Sequence, residues 1–260
     1  MLDAWFAHHL QPGPAQRWRR WLVGNGHLAL YAEAVRLGVP ASASRRYSNA
    51  QIDDYAGLAR AQYPWRPPLR LTVRARFSAH LAGTAGFGFW NHPFAPNTGI
   101  GALPVALWFL RLSPPNDLPI ALGVPGNGFK AAMINAGTWR AQRWLPVAPL
   151  VVVLNRWPLL HQRLWSRVQR DLGIAEALVS MPPDSWQLYT IEWHSDGARW
   201  LVGERTVLET EQAPCGPLGF VAWVDNQYAI ARPTGRLGWG ICPVEHPQWL
   251  DLAEVRIELL

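Results

Sequence analysis

Tyr189, Ile191 and Trp193 alternate with Thr190, Glu192 and His194, the period-2 pattern of a strand with one buried face. Asp196-Gly197 follows, a dipeptide suited to the positive-φ positions of a tight hairpin, and Trp200 and Val202 resume the alternation. A second turn at Gly203-Glu204 leads into Thr206–Glu209, so the pattern predicts a meander of three short antiparallel strands. Similar segments predict strands over 26–33, 45–55, 69–78, 83–92, 104–112, 218–226 and 251–259. Segments 118–124 and 129–135 read as two more, set apart by the turn-like Pro114-Pro-Asn-Asp and Pro125-Gly-Asn-Gly, and the β-branched run 150–155 reads as a buried strand. Gly86 and Gly88 interrupt one strand, which marks a bulge or the close approach of another group. Short strands at regular spacing, with turn signals between them, predict an all-β sandwich.

One stretch departs from this period. Leu160, Leu164, Val168, Leu172, Ala175 and Val179 lie three or four residues apart, the spacing of a single helical stripe. They predict one helical insertion over 159–179, stopped by Pro182-Pro183, with Arg163, Arg167 and Arg170 on another face. The segment before it is unusually apolar, carrying Trp144, Val151–Leu154, Trp157 and Leu159. The simplest reading packs the stripe on the sandwich and leaves the arginines in water. Two others make the helix a cover over a cleft, or a basic amphipathic element touching a membrane surface.

Composition narrows the class. The chain of 260 residues is 49% hydrophobic, enough for one large core, and its 23 Pro and 22 Gly fit a turn-rich β protein. Residues 24–260 are expected to form a single domain, with the Trp- and Arg-rich segment 1–23 packed on it. The net charge of +6 comes almost wholly from arginine, because Lys130 is the only lysine. These charges are spread along the chain rather than gathered in one strip, which argues against a nucleic-acid partner. Cys215 and Cys242 are too few for a disulfide scaffold and lack metal-ligand spacing; both fall in predicted loops, where they could pair. No apolar h-region opens the chain and no apolar run reaches the length of a membrane span, so a cytoplasmic location is the expectation. No nucleophile elbow, phosphate loop or metal-ligand cluster is present, and no cofactor or metal is expected.

The segment from Leu188 to Val202 resembles the Y-x-I-E-W-x-x-D-x-I-x-W-x-V-D-G hairpin of family 16 glycoside hydrolases. Ala253-Glu-Val-Arg-Ile resembles their last strand, written D-Y-V-R-V. Tyr47-Ser-Asn-Ala-Gln-Ile, Leu71-Thr-Val-Arg-Ala-Arg-Phe and Gly83-Thr-Ala-Gly-Phe-Gly-Phe-Trp resemble three successive strands in the family's order, so the likeness spans roughly 24–260. It implies a concanavalin-A-like jelly roll, two curved antiparallel sheets whose concave one forms a cleft that holds a polysaccharide in the family. Retaining glycosidases need two carboxyl groups about 5–5.5 Å apart, and this family sets them on one strand as E-x-D-x-x-E or E-x-D-x-E. The strand expected to carry that motif reads Leu103-Pro-Val-Ala-Leu-Trp-Phe-Leu-Arg-Leu, without a carboxylate, and the nearest acid is Asp117 in a turn. The calcium of some members has Ala253 at its expected aspartate position, with Asp251 displaced by two.

The resemblance therefore implies a catalytically degenerate relative that binds a carbohydrate or similar small ligand in the concave cleft. Candidate contacts are Trp90, Asn91, His92, Trp223, Asp225, Asn226, Gln227 and Tyr228, since flat rings stack on sugar faces and amide or carboxylate groups bridge vicinal hydroxyls. A second reading is an enzyme with an unfamiliar acid/base pair drawn from Glu192 and Asp225, which would have to converge. A third is an apolar-ligand or membrane-surface protein built on the Trp-rich strands and the 144–160 segment.

Overall fold

In the computed structural model, which describes residues 2–11, 18–93, 102–180, 182 and 184–260, the alternating segments pair into two large sheets and a separate hairpin. The first sheet runs in the order β13 (Arg205–Thr210), β12 (Ala198–Val202), β11 (Gln187–Trp193), β6 (Leu69–Phe77), β17 (Gln248–Leu259), β4 (Ala34–Val39) and β3 (His27–Tyr31). The two-residue β1 (Leu10–Gln11) runs parallel to β17 beside it. The second sheet runs β10 (Ala175–Leu178), β9 (Gly128–Asn135), β8 (Val105–Leu112), β7 (Thr84–Trp90), β14 (Gly219–Asp225), β5 (Asn49–Asp53) and β2 (Arg19–Val23). The hairpin joins β15 (Gln227–Ala231) to β16 (Leu237–Ile241).

Alternation decides what lies between the sheets. Leu71, Val73, Tyr189, Ile191, Trp193 and Trp200 point inward from the first sheet, and Phe87, Phe89, Phe109, Phe220 and Val224 meet them from the second in one cluster without solvent exposure. Burying side chains of this size yields about 1.5–3 kcal/mol each, which makes this layer the main source of stability. Helix α1 (Leu2–His9) buries Trp5 and Phe6 against the core, and β2 is an edge strand.

The predicted meander is present as β11–β12–β13, but its backbone differs in detail. The β11–β12 turn closes with His194 N donating to Gly197 O (2.8 Å) and needs no positive φ, whereas Gly203 takes φ 59° at the next turn. Three other expectations are corrected. Residues 118–124 form no strand, because their amides go to side chains instead of a neighbouring strand: Ala121 N donates to Glu176 Oε2 and Leu122 N to Gln169 Oε1. The run 150–155 is helical, within α3 (Ala148–Leu154), with Pro149 in its first turn where a missing N–H costs nothing. The next helix, α4 (Pro158–Asp171), ends eight residues before the predicted end, and Gly173 (φ 56°) turns the chain into edge strand β10. A single turn, α2 (Trp139–Gln142), precedes them. Cys215 and Cys242 are both free thiols.

Two buried ion groups tie the elements together. Asp251 is fully buried and spends its oxygens on Arg36 (2.7 Å) and Arg76 (3.0 Å). Lys130 Nζ, also fully buried, donates to Glu176 Oε1 and to Leu118 O, both at 3.1 Å, and so pins the 114–127 loop over the outer face of β8–β10.

Candidate functional site

Because Phe87, Phe89, Leu107, Phe109, Phe220 and Val224 face the core, the residues between them face outward. On the outer face of the second sheet these are Gly86, Gly88 and Trp90 of β7, Trp108 and Leu110 of β8, Val221 and Trp223 of β14, and Gln51 and Asp53 of β5. Register places Trp223 opposite both Gln51 and Gly86, and Trp108 opposite Gly88. The glycines make room for the indoles. A Cβ at Gly86 would stand 2.9 Å from Trp223 Cη2, and one at Gly88 would stand 2.7 Å from Trp108 Cβ.

The result is a continuous aromatic row. Trp223 and Trp108 lie 5.9 Å apart between ring centres, Trp108 and Trp90 6.2 Å, Trp90 and Tyr55 6.2 Å, and Tyr55 and Tyr63 5.0 Å. His92 stacks on Trp90 at 4.7 Å. These spacings fall in the range of favourable ring contacts. Trp90, Trp108, Trp223 and His92 are only half-buried, so part of each ring stays open to solvent. Tyr55 and Tyr63 border one side of the row, and Leu118, packed with Leu110, Leu112 and Ala132, borders the other.

Polar groups gather at the Tyr55 end. Gln51 Nε2 donates to Asp53 Oδ2 (2.9 Å) and to the Tyr55 hydroxyl (3.4 Å), which also accepts from Trp90 Nε1 (2.7 Å). Burial raises the Asp53 carboxyl, against the lowering effect of Gln51 and the backbone amides of Ala56 and Tyr55. Burial raises the Tyr55 phenol as well, which keeps it protonated. His92 is pushed below its ordinary value by burial and by Arg60, so at neutral pH it is an uncharged imidazole able to accept a proton or a hydrogen bond. Arg60 itself holds the carbonyls of Asn91, His92 and Pro93 at 3.0–3.1 Å.

Comparison with known proteins finds no matching family model and no curated protein of matching sequence. Solved structures do match. The apo Crh5 transglycosylase superposes with a TM-score of 0.52 at 12% identity, over 96% of this chain and 81% of its own. An endo-acting O-glycanase of the human gut microbiota gives 0.51 at 12%, over 98% and 97%. The lumenal domain of VIP36 with Ca2+ and Man2 gives 0.51 at 11%, over 94% and 81%. The fold is a concanavalin-A-like jelly roll.

Within this jelly roll, the outward positions of β8 are Ala106, Trp108, Leu110 and Leu112, so that strand presents no carboxylate. Of the residues singled out from the sequence, Trp90, His92 and Trp223 come together in the aromatic row. Asn91 spends its carboxamide on Leu103 O and Val105 N. Asp225 Oδ1 accepts from Thr84 N, Thr84 Oγ1 and Gln227 N, and Asn226 bonds Ser48 N, Arg46 O and Cys242 O. These three polar side chains therefore hold loops in place. Gln227 and Tyr228 sit half-buried on β15. Glu192 lies on the outer face of the other sheet, paired with Arg70 (2.7 Å) and Arg199 (3.6 Å). It and Asp225 face away from each other across both sheets, which stack about 10 Å apart, so the structure does not bring them together.

Trp108, Tyr55, Tyr63, Gln51 and Asp53 were not among the sequence candidates. Two signals mark three of them: the outward position of Trp108 on β8, and the alternation of Gln51 and Asp53 with Ala50 and Ile52.

Asp225 supports a pH prediction. Burial pushes its carboxyl up to about 7, against the hydrogen bonds from Thr84 and Gln227. Between its unfolded value near 4 and that folded value the native state holds the extra proton, so its stabilising effect is complete below about pH 4 and fades as pH rises towards 7. Asp225→Asn keeps an Oδ1 acceptor and cannot ionise. Urea denaturation should show the variant gaining on wild type by roughly 2–4 kcal/mol between pH 4.5 and 7.5. A difference independent of pH would refute it.

Proposed function

We propose that the protein binds carbohydrate along the aromatic row on the outer face of its second sheet, without hydrolysing it. The continuity of the partly exposed rings Trp223, Trp108 and Trp90, tilted 46–57° from one to the next, carries this reading, because open aromatic surface in series packs against the apolar faces of sugar rings. At one end the partly exposed His92 would bond hydroxyl groups and fix the orientation, held over Gln51, Asp53 and Tyr55, which are buried and bond one another. The absence of paired acids on β8 argues for binding over cleavage. Jelly-roll neighbours that include a transglycosylase, an O-glycanase and a mannose-bound lectin domain support a sugar as ligand.

Trp108→Ala tests this directly, because its partly exposed ring lies at the centre of the row. Calorimetric titration with β-glucan and galactan oligosaccharides should show affinity falling about 30-fold, the loss of roughly 2 kcal/mol expected of a central contact. Unchanged affinity in the variant would remove the aromatic row from the binding site.

A further inference from the structure

The helical insertion between β9 and β10 leaves an unusual surface. From Asp117 to Asp171 the chain carries no acidic residue, yet it holds Arg140, Arg143, Arg156, Arg163, Arg167 and Arg170. The segment across the 3-10 turn Leu145–Val147, α3 and the start of α4 exposes Leu145, Val147, Leu150, Val153, Trp157, Leu159 and Leu160, with Leu159 at 79% of its maximal exposure. Single exposed apolar residues are ordinary, but a run of this density marks an interaction surface.

The insertion does not use this face to hold the fold. Its inward contacts come from other positions: Val151 and Val168 are buried, Trp165 Nε1 donates to Ile120 O (2.8 Å), and Asn155 Nδ2 donates to Pro233 O (3.1 Å). That last bond joins α3 to the turn of the β15–β16 hairpin, where a Cβ on Gly235 would stand 2.4 Å from Val152 Cγ1. Two and four residues beyond that glycine, Leu237 and Trp239 are 77% and 76% exposed. Behind the apolar run, Arg143, Arg167 and Arg170 with Trp144, Val147 and Asp171 line a pocket of about 460 Å³. Asp171 is committed to Arg143 (2.5 Å) and to Trp144 Nε1 (2.8 Å). Among the described residues, Arg163, Arg167 and Arg170 form no ion pair with an acid.

We propose that this face docks on a bilayer of anionic phospholipids, with Trp157, Leu159 and their neighbours entering the headgroup–acyl boundary. Arg163, Arg167 and Arg170 then meet the lipid phosphates. Charge chooses the occupant: a cationic border whose acid, Asp171, is spent on Arg143 and Trp144 repels a second copy of itself and matches a negative surface. Exposed tryptophans beside arginines suit the interface, where one end of the ring is wet and the other apolar. No helix of the described residues is long and apolar enough to cross a membrane, so the contact lies on the surface.

The test is sedimentation with phosphatidylcholine vesicles, pure or containing one-third phosphatidylglycerol. Wild type should bind the mixed vesicles and lose affinity as salt rises. The triple variant Arg163→Glu, Arg167→Glu, Arg170→Glu should bind them at least about a hundredfold more weakly, since each cation near an anionic surface adds roughly a factor of five. Trp157→Ser with Leu159→Ser should weaken binding at least about tenfold through lost apolar burial. All five positions are exposed, and circular dichroism will show both variants folded. Glycan affinity should be unchanged in both, which separates this result from the sugar-binding reading. Failure of wild type to bind mixed vesicles would overturn the proposal. So would equal binding to neutral vesicles, or a dimer in sedimentation velocity that Trp157→Ser with Leu159→Ser dissolves without any lipid affinity.

Discussion

Lys130→Met should lower the free energy of unfolding by about 3–5 kcal/mol, the penalty for stripping one partner from a buried ion pair. For a chain of this size that is a fall of roughly 5–10 °C in Tm. Lys130 is the single lysine, sits on the outer face of β9, and is fully buried. Its ammonium holds Glu176 on the neighbouring strand and the carbonyl of Leu118 on the loop above. Burial raises the Glu176 carboxyl, and Lys130 is the first influence opposing it. Without the lysine, Glu176 must bury a lone charge or take up a proton, and the Leu118 carbonyl loses its donor. Lys130→Met combined with Glu176→Leu should recover part of the loss, because it removes the lone buried charge while Leu118 O and Ala121 N stay without their partners. Calorimetry on the three proteins decides the matter; a single variant as stable as wild type would show the pair to be slack.

The second large effect concerns the glycines under the indoles. Gly88→Ala should cost more than about 4 kcal/mol, a magnitude reserved for specific structural conflicts. Gly88 has φ 151°, and its new Cβ would stand 2.3 Å from Leu107 O, within the β7–β8 ladder. Backbone cannot swing aside as a side chain does, so the two strands must part. Gly203→Ala is the control. It also has a positive φ, 59°, but a Cβ there meets nothing within 4 Å. Its cost should stay near the 1–2 kcal/mol of a left-handed residue. Denaturant titration of both variants separates backbone strain from collision, and equal losses would contradict the close packing of Trp108 on β7.

How the chain announces its fold depends on where each residue spends its hydrogen bonds. Tyr189, Ile191 and Trp193 reveal β11 because one face is buried and the other solvated, so alternation is visible. The valines 151–153 look like a strand because β-branched side chains favour the pleat. Here they stand on a helix, with Val151 buried and Val153 exposed, and the second sheet already ends at β10. Segment 118–124 misleads for another reason: its amide partners, Glu176 and Gln169, lie some fifty residues away, and no local pattern announces them. The site was legible in half. Gly86 and Gly88 signal the approach of large groups, and Trp90 and Trp223, both candidates from the sequence, lie in the aromatic row. Trp108 stands on a strand with no polar neighbour to mark it, so nothing beside it in the sequence separates it from a core residue. The polar run after Trp223 invites a binding role, yet the Asp225 and Asn226 side chains are consumed in holding Thr84, Ser48 and the backbone near Cys242.

The most direct test of the binding site is intrinsic tryptophan fluorescence, titrated with β-glucans and galactans and, in parallel, with fatty acids, on wild type and on Trp223→Ala. The aromatic row predicts a saturable shift with at least one glycan, weakened or lost in the variant. A response to fatty acids alone would contradict it and make the row a site for apolar ligands.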